Sequence, residues 1–335
     1  MDASSNPDSN AACILCNNNL QNILYTVKEM MQGTKHVFHY LECSKCGCLQ
    51  LLDPPVDMGT YYAKNYYSLQ QDPTSLFKPF IKGWLKKKRD RFAITGSGLL
   101  GRIINQRMPS PNIELYNLRK VGLKTSDRIL DVGSGAGLLT YIFYNAGFKH
   151  ISGIDPYLSK DIIYDNGLKI LNKPLADVTE NSWDAILFHH SFEHMENPRL
   201  VLQQVYRLLK PGGKCVIRIP TSSSYAWQHY RENWVQIDAP RHYFLYSIPG
   251  LELLAAETGF TFQYLADEST SFQFTGSEQY KMGIPLHGDQ RSFFEGNSKL
   301  FNKEQLYTFQ KTSNDLNAKR EGDSISVLLT RKNYI

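Results

Sequence analysis

No apolar run in this 335-residue chain approaches the ~20 residues of a membrane-spanning helix, so no such helix is expected. The first ten residues, Met1 to Asn10, are polar and carry acids, and do not read as a secretory signal. The expected location is the cytoplasm. No internal repeat and no long low-complexity tract is visible, which excludes a repeat array. A strong charge imbalance is missing too. The net charge of +5 neither demands nucleic acid nor excludes an anionic ligand such as a nucleotide-linked sugar. Hydrophobic and charged contents of 42% and 21% are ordinary for a globular chain, and the length fits one large domain plus a smaller one.

Cysteine is scarce, with six in all, but it is not scattered. Cys13-Ile14-Leu15-Cys16 and Cys43-Ser44-Lys45-Cys46-Gly47-Cys48 place five of the six in two knuckles near the amino terminus. Paired C-x-x-C units across a strand-rich stretch suit a structural zinc ion held by four thiolates. In a reducing compartment, disulfides are the weaker reading. The expected ligands are Cys13, Cys16, Cys43 and Cys46, with Cys48 an alternative to Cys46. Residues 1–52 then form a small zinc ribbon, with candidate strands at Asn22–Val27 and Lys35–Leu41. Cys215 lies in an apolar run and is expected in the core.

Asp131-Val132-Gly133-Ser134-Gly135-Ala136-Gly137 follows the apolar Arg128-Ile129-Leu130 and opens onto a helix-like segment from Leu138 to Ala146. Strand, glycine turn and helix start let a ligand approach the main chain closely. The spacing D-x-G-x-G-x-G departs from the G-x-G-x-x-G of dinucleotide folds. Next come a strand-like Ile151–Ile154 closed by Asp155, then Trp183–Phe188 closed by His189-His190-Ser191-Phe192-Glu193-His194. Leu208–Lys214 reads as a helix end and turn before the strand Cys215–Pro220. In order and interval these segments resemble the motifs of class I S-adenosylmethionine-dependent methyltransferases, closely from about 119 to 266 and again at Ser324–Arg331. The ribbon in front is similar to that of bacterial sugar- and polysaccharide-modifying members. The resemblance implies an α/β fold, a Rossmann-like doubly wound seven-stranded sheet preceded by the small zinc-ribbon domain. Residues 53–118 would be a helical, tyrosine-rich connector and lid. Residues 119–335 would be the methyltransferase domain, with an insertion at about 270–322 shaping substrate choice.

The same resemblance implies that S-adenosyl-L-methionine meets Asp131, Gly133, Gly135, Gly137 and His189, with Asp155 at the ribose and Pro156 and Tyr157 near the adenine. The protein must then orient an acceptor and take its proton. His190, Glu193 and His194, spaced i, i+3, i+4, share one face if the segment turns helical. His190 or His194 is the preferred base, with His242 its rival. In ubiquinone-pathway O-methyltransferases this segment supplies acidic and histidine ligands to a divalent metal. His190 stands here where they carry an acid, which weakens a magnesium reading. In Trp234–Tyr243, Asp238 and Arg241 either bind substrate, Arg241 gripping a phosphate or carboxylate, or pair with each other to pin the loop. Tyr66 and Tyr67 are read either as a lid over substrate or as a packing seam.

The favoured function is methyl transfer to a sugar, nucleotide-sugar or related small polar metabolite, O-methylation slightly ahead of C-methylation. The alternatives are an RNA methyltransferase gripping nucleic acid through the ribbon, and a non-catalytic cofactor-binding scaffold. Against nucleic acid, the ribbon has no basic stripe with interleaved aromatics, and the Asn/Asp-Pro-Pro-Tyr/Phe motif is missing. Phe77, Phe80, Ile81, Trp84, Leu85 and Phe92 fall at helical spacing beside Lys86-Lys87-Lys88-Arg89. That segment reads either as a peripheral membrane contact or as an ordinary packed helix.

Overall fold

A computed structural model describes residues 11–62 and 72–332. Its centre is an eight-stranded sheet. Among the described residues the strands are, in chain order, β1 (Ile23–Lys28), β2 (Val37–Glu42), β3 (Leu49–Leu51), β4 (Ile129–Val132), β5 (Ile151–Ile154), β6 (Ile162–Ile163) and β7 (Lys169–Leu171). They continue with β8 (Trp183–His189), β9 (Leu209–Pro220), β10 (Phe244–Leu245), β11 (Phe260–Asp267) and β12 (Ser324–Arg331). The central order is β11-β12-β9-β8-β4-β5-β7-β6. β9, β8, β4, β5 and β7 run parallel, while β12 lies antiparallel between β9 and β11. This is the expected α/β Rossmann-like sheet with one strand more than the seven expected. The addition is β6, a two-residue edge strand folded back antiparallel on β7.

Period-two alternation explains why both faces of this sheet are covered. Ile186 and Phe188 of β8 join one core with Leu130 and Val132, while Ala185 and Leu187 join the other with Ile129. Four helices supply the covering layers: α1 (Phe80–Thr95), α4 (Leu138–Ala146), α5 (Pro198–Leu208) and α7 (Ile248–Glu257). α1 and α4 fill the second core; α5 and α7 fill the first. Between them in sequence lie α2 (Leu99–Arg107), α3 (Glu114–Leu118) and α6 (Tyr225–Tyr230). Cys215 is fully buried in β9, as its apolar setting implied. The stretch between β11 and β12 holds α8 (Phe272–Lys281) and α9 (Lys303–Lys319).

The amino-terminal strands are built into the rest of the chain. β1, β2 and β3 form an antiparallel sheet whose fourth strand is β10, donated from far downstream. Cys13, Cys16, Cys43 and Cys46 converge with their sulfur atoms within 4.8 Å of one another. Cys48 points elsewhere: its sulfur accepts from the Ser247 amide at 3.2 Å and lies 3.3 Å from the Ser247 hydroxyl, at the start of α7.

A buried ion cluster ties the same parts together. Arg241 is completely buried, pairing with Asp238 at 2.6 Å and with Glu29, just after β1, at 2.9 Å. It also donates to the Tyr61 carbonyl at 3.0 Å. Burial works to raise the Asp238 pKa, but the Arg241 charge outweighs it and holds the carboxyl below its ordinary value. Of the two sequence readings of Arg241, substrate grip gives way to the pinning one, because every arm of the guanidinium is engaged inside the protein. Truncating it would leave Glu29 and Asp238 buried without their cation. Arg241→Ala is expected to lower unfolding free energy by about 3–5 kcal/mol in chemical denaturation. A loss below about 1 kcal/mol would mark the cluster as energetically idle.

Candidate functional site

Two cavities meet at the carboxyl ends of β4, β5 and β8, the rim where ligands sit on open α/β sheets. The first, of about 350 Å³, is lined by Asp131, Gly133, Ser134, Asp155, Pro156, Tyr157 and the His189–Ser191 segment, among others. The glycine turn shapes it. Gly133 adopts φ +71°, and a Cβ there would come within 2.4 Å of the Ser191 side chain. The amide of Gly135 donates to Asp155 at 2.9 Å, and the Tyr157 amide donates to the other carboxylate oxygen at 2.9 Å. Asp155 is thereby fixed at the cavity wall; burial raises its pKa. Gly137 closes the turn: at φ +86° it starts α4, and a Cβ would lie 2.5 Å from Ile170.

Asp131 is the informative member. Its Oδ2 accepts from the Thr140 hydroxyl at 2.6 Å, while its buried Oδ1 has no partner. Burial pushes its pKa up to about 6. An unpartnered carboxylate oxygen at a cavity wall suits an ammonium group, such as the amino acid end of S-adenosylmethionine. Asp155, between two backbone amides and open to the cavity, retains lone pairs for ribose hydroxyls. The residues present therefore fit that cofactor.

Sequence reasoning passed over several lining groups. Ser134, in the glycine turn, is one of them. Asn112 and Glu114 come from the connector. Tyr62 stacks on Tyr157 with centroids 4.8 Å apart, and its hydroxyl lies 3.1 Å from His194 Nδ1. The tyrosine-rich segment was legible as a candidate lid, but attention fell on Tyr66 and Tyr67, which lie outside the described residues.

The second cavity, of about 380 Å³, shares His190 and His194 with the first. Glu193, His242, Asp238, Gln273 and Ser324 are among its other walls, and residues of α8 and the following loop roof it. Three buried oxygens here have no hydrogen-bond partner: Glu193 Oε2, Gln273 Oε1 and Ser324 Oγ.

Four residues at the junction determine its chemistry. His194 Nδ1 lies 2.9 Å from the Arg241 carbonyl, which can only accept, so Nδ1 carries the hydrogen and Nε2 the lone pair. His242 is set the same way by the Gln236 carbonyl at 2.8 Å. His190, held at φ +52°, lies 3.3 Å from Glu193. Burial lowers the pKa of His190 and of His194, so both are neutral near pH 7 and able to accept a proton. Burial raises that of Glu193. His189 behaves otherwise: it accepts from Arg218 at 3.2 Å on the wall of the first cavity. The ligand atoms of Glu193, His194 and His242 all lie within 4.8 Å of one another. The spacing-based trio had His190 in place of His242, because a distant loop's arrival cannot be read from i, i+3, i+4 spacing. Two imidazoles and one carboxylate suit a borderline divalent ion better than magnesium.

The Asp131 geometry sets a pH dependence. Pairing with an ammonium group requires the carboxylate, so affinity for S-adenosylmethionine should be full above about pH 6 and fall as pH drops through that value. Calorimetric titration from pH 5 to 8 measures this, and Asp131→Asn should weaken binding and flatten the profile. An unchanged profile in the variant would remove Asp131 from the contact.

Comparison with known proteins agrees with this geometry. Residues 105–265 match a methyltransferase-domain family. A ubiquinone biosynthesis O-methyltransferase of Maricaulis maris is 30% identical over 129 residues, covering 34% of this chain and 49% of that protein. Phosphoethanolamine N-methyltransferase 1 of Arabidopsis thaliana is 25% identical over 170 residues, covering 46% and 33%. The chain thus spans about half or less of the length of these relatives. Among solved structures, phosphoethanolamine N-methyltransferase 2 of Haemonchus contortus, in complex with phosphomonomethylethanolamine and S-adenosylhomocysteine, is 16% identical with a TM-score of 0.41, covering 74% of this chain and 61% of that one. With the sheet order, the glycine turn and the matched span in agreement, this chain carries a class I S-adenosylmethionine-dependent methyltransferase domain.

Proposed function

We propose that the chain methylates a hydroxyl of a sugar, nucleotide-sugar or related small polar metabolite seated in the second cavity. One observation carries the reading: a cofactor-sized cavity and a polar cavity share His190 and His194 as a common wall. When bound, S-adenosylmethionine supplies an electrophilic methyl group on a sulfonium whose sulfur is the leaving group. Asp131 would hold its amino acid end and Asp155 its ribose, with Pro156 and Tyr157 beside the adenine. His194 takes the acceptor hydroxyl's proton at Nε2, the atom left bare by the Arg241 carbonyl. Glu193, with a carboxylate oxygen within 4.8 Å of a His194 ring nitrogen, steadies the charge that develops on that imidazole. The unpartnered oxygens of Glu193, Gln273 and Ser324 accept hydrogen bonds from the acceptor's other hydroxyls. A neutral base favours O-methylation, since an already nucleophilic carbon needs less help.

The four converging cysteines hold a structural zinc ion in this reading. Burial opposes ionisation of Cys43, but the amides of Cys46 and Lys45 turned toward its sulfur bring the thiol down to about 7. Burial and the neighbouring sulfurs push Cys13, Cys16 and Cys46 up, as for crowded thiols with no cation between them.

The test of the reaction uses methyl-labelled cofactor, the purified chain and a panel of nucleotide-linked sugars followed by mass spectrometry. Label should enter a sugar. His194→Ala should cut turnover by roughly 10²–10⁴-fold with little change in cofactor affinity. Asp155→Ala should instead lose cofactor binding. Tight cofactor binding with no labelled sugar would sink the acceptor class. For the ribbon, metal analysis should find stoichiometric zinc that disappears in Cys43→Ser; a zinc-free native protein would refute that assignment.

A further inference from the structure

The helical pair α1 and α2 stands apart from the rest of the molecule in both charge and exposed surface. Between Lys78 and Arg107 the chain carries nine Lys and Arg and a single acid, Asp90. This segment therefore has a net charge of +8 in a chain whose total is +5, and everything else sums to −3. Among the described residues, Arg89 alone of the nine forms an ion pair, with Asp90, and both are buried. Lys86 is engaged by the Leu76 carbonyl. Lys78, Lys82, Arg91, Arg102 and Arg107 are exposed, and Lys87 and Lys88 lie over the rings of Phe77 and Trp84.

Large apolar side chains are exposed on the same two helices. Phe80 and Ile81 are 85% and 72% exposed, Leu99 is 75% exposed, and Trp84, Leu100 and Ile103 are each more than 40% exposed. A soluble surface seldom leaves so many large apolar groups uncovered on adjacent elements without a partner. The helices pack tightly enough to act as one unit: a Cβ on Gly101 would lie 2.3 Å from the Lys88 carbonyl oxygen. The opposite side of α1, with Ala93 and Ile94, is sealed into the core that it shares with α4.

We propose that the α1–α2 pair docks the protein on an anionic lipid surface. Charge complementarity selects that occupant. Exposed aromatic and aliphatic groups enter the headgroup boundary while the flanking lysines and arginines meet lipid phosphates, so buried apolar area and electrostatic attraction act together. No helix of the described residues is long and apolar enough to cross the membrane, so the contact is peripheral. The arrangement also places a membrane near the chemistry. α1 packs on α4, the helix that begins at the glycine turn, and α2 leads within a few residues to Asn112 and Glu114 on the first cavity.

Co-sedimentation of the full chain with vesicles tests this. Vesicles of phosphatidylcholine with phosphatidylglycerol should pellet the protein, pure phosphatidylcholine should not, and high salt should weaken binding. Lys82→Glu/Lys87→Glu/Lys88→Glu and, separately, Ile81→Ser/Leu99→Ser/Ile103→Ser should each reduce partition at least about tenfold. All these positions lie outside the buried core, and unchanged circular dichroism and cofactor binding would show that the variants fold. Failure of the native chain to bind anionic vesicles would overturn the proposal, as would binding that neither variant diminishes. So would a dimer in sedimentation velocity that the apolar variant alone dissolves, with no lipid binding, since a second copy would then be the occupant.

Discussion

The buried guanidinium of Arg241 is the interaction on which the rest of the architecture depends. Glu29 reaches it from the cysteine-bearing sheet, Asp238 from the loop after β9, and the Tyr61 carbonyl from the connector. Three separate stretches of chain thus share one cation in a dry environment, where the cation cannot be withdrawn without stranding two carboxylates. The backbone of the same residue accepts the Nδ1 hydrogen of His194. One residue therefore couples the seating of the amino-terminal sheet to the tautomer of the histidine that faces both cavities. The Tyr40 hydroxyl, donating to the His242 carbonyl at 2.7 Å, reinforces the same seam.

The fold was largely legible in the sequence because its signals are local. A strand, a glycine turn and a helix start occupy consecutive residues, and α4 runs over the Leu138–Ala146 segment that follows the turn. β1 and β2 lie within two residues of their expected bounds, as frayed strand ends allow. The convergence of Cys13, Cys16, Cys43 and Cys46 was legible in their spacing, while the contact of Cys48 with Ser247 was not, since no local pattern connects the two.

The site was legible in part. Residues on the β-strand rims were found because topology places strand ends together. The rest depended on long-range packing. Tyr62 reaches Tyr157 and His194 from a connector whose path has no periodic signature. His242 joins Glu193 and His194 because a loop after β9 folds back over the rim. Arg241 shows the converse: a charged residue in a loop suggests a ligand contact, and only burial reveals it as an internal tie.

The edge strand that completes the amino-terminal sheet has a consequence for how the chain acquires its structure. β3 pairs with β10, and Cys48 meets Ser247 across 199 residues. During synthesis the first three strands leave the ribosome long before their fourth exists. Until β10 arrives, β3 presents an open backbone edge, a surface prone to pairing with other chains. Closing their sheet waits for β10, which follows β9 of the central sheet in the chain. The segment that comes first in sequence is thus among the last to be finished, which binds its quality control to that of the catalytic domain.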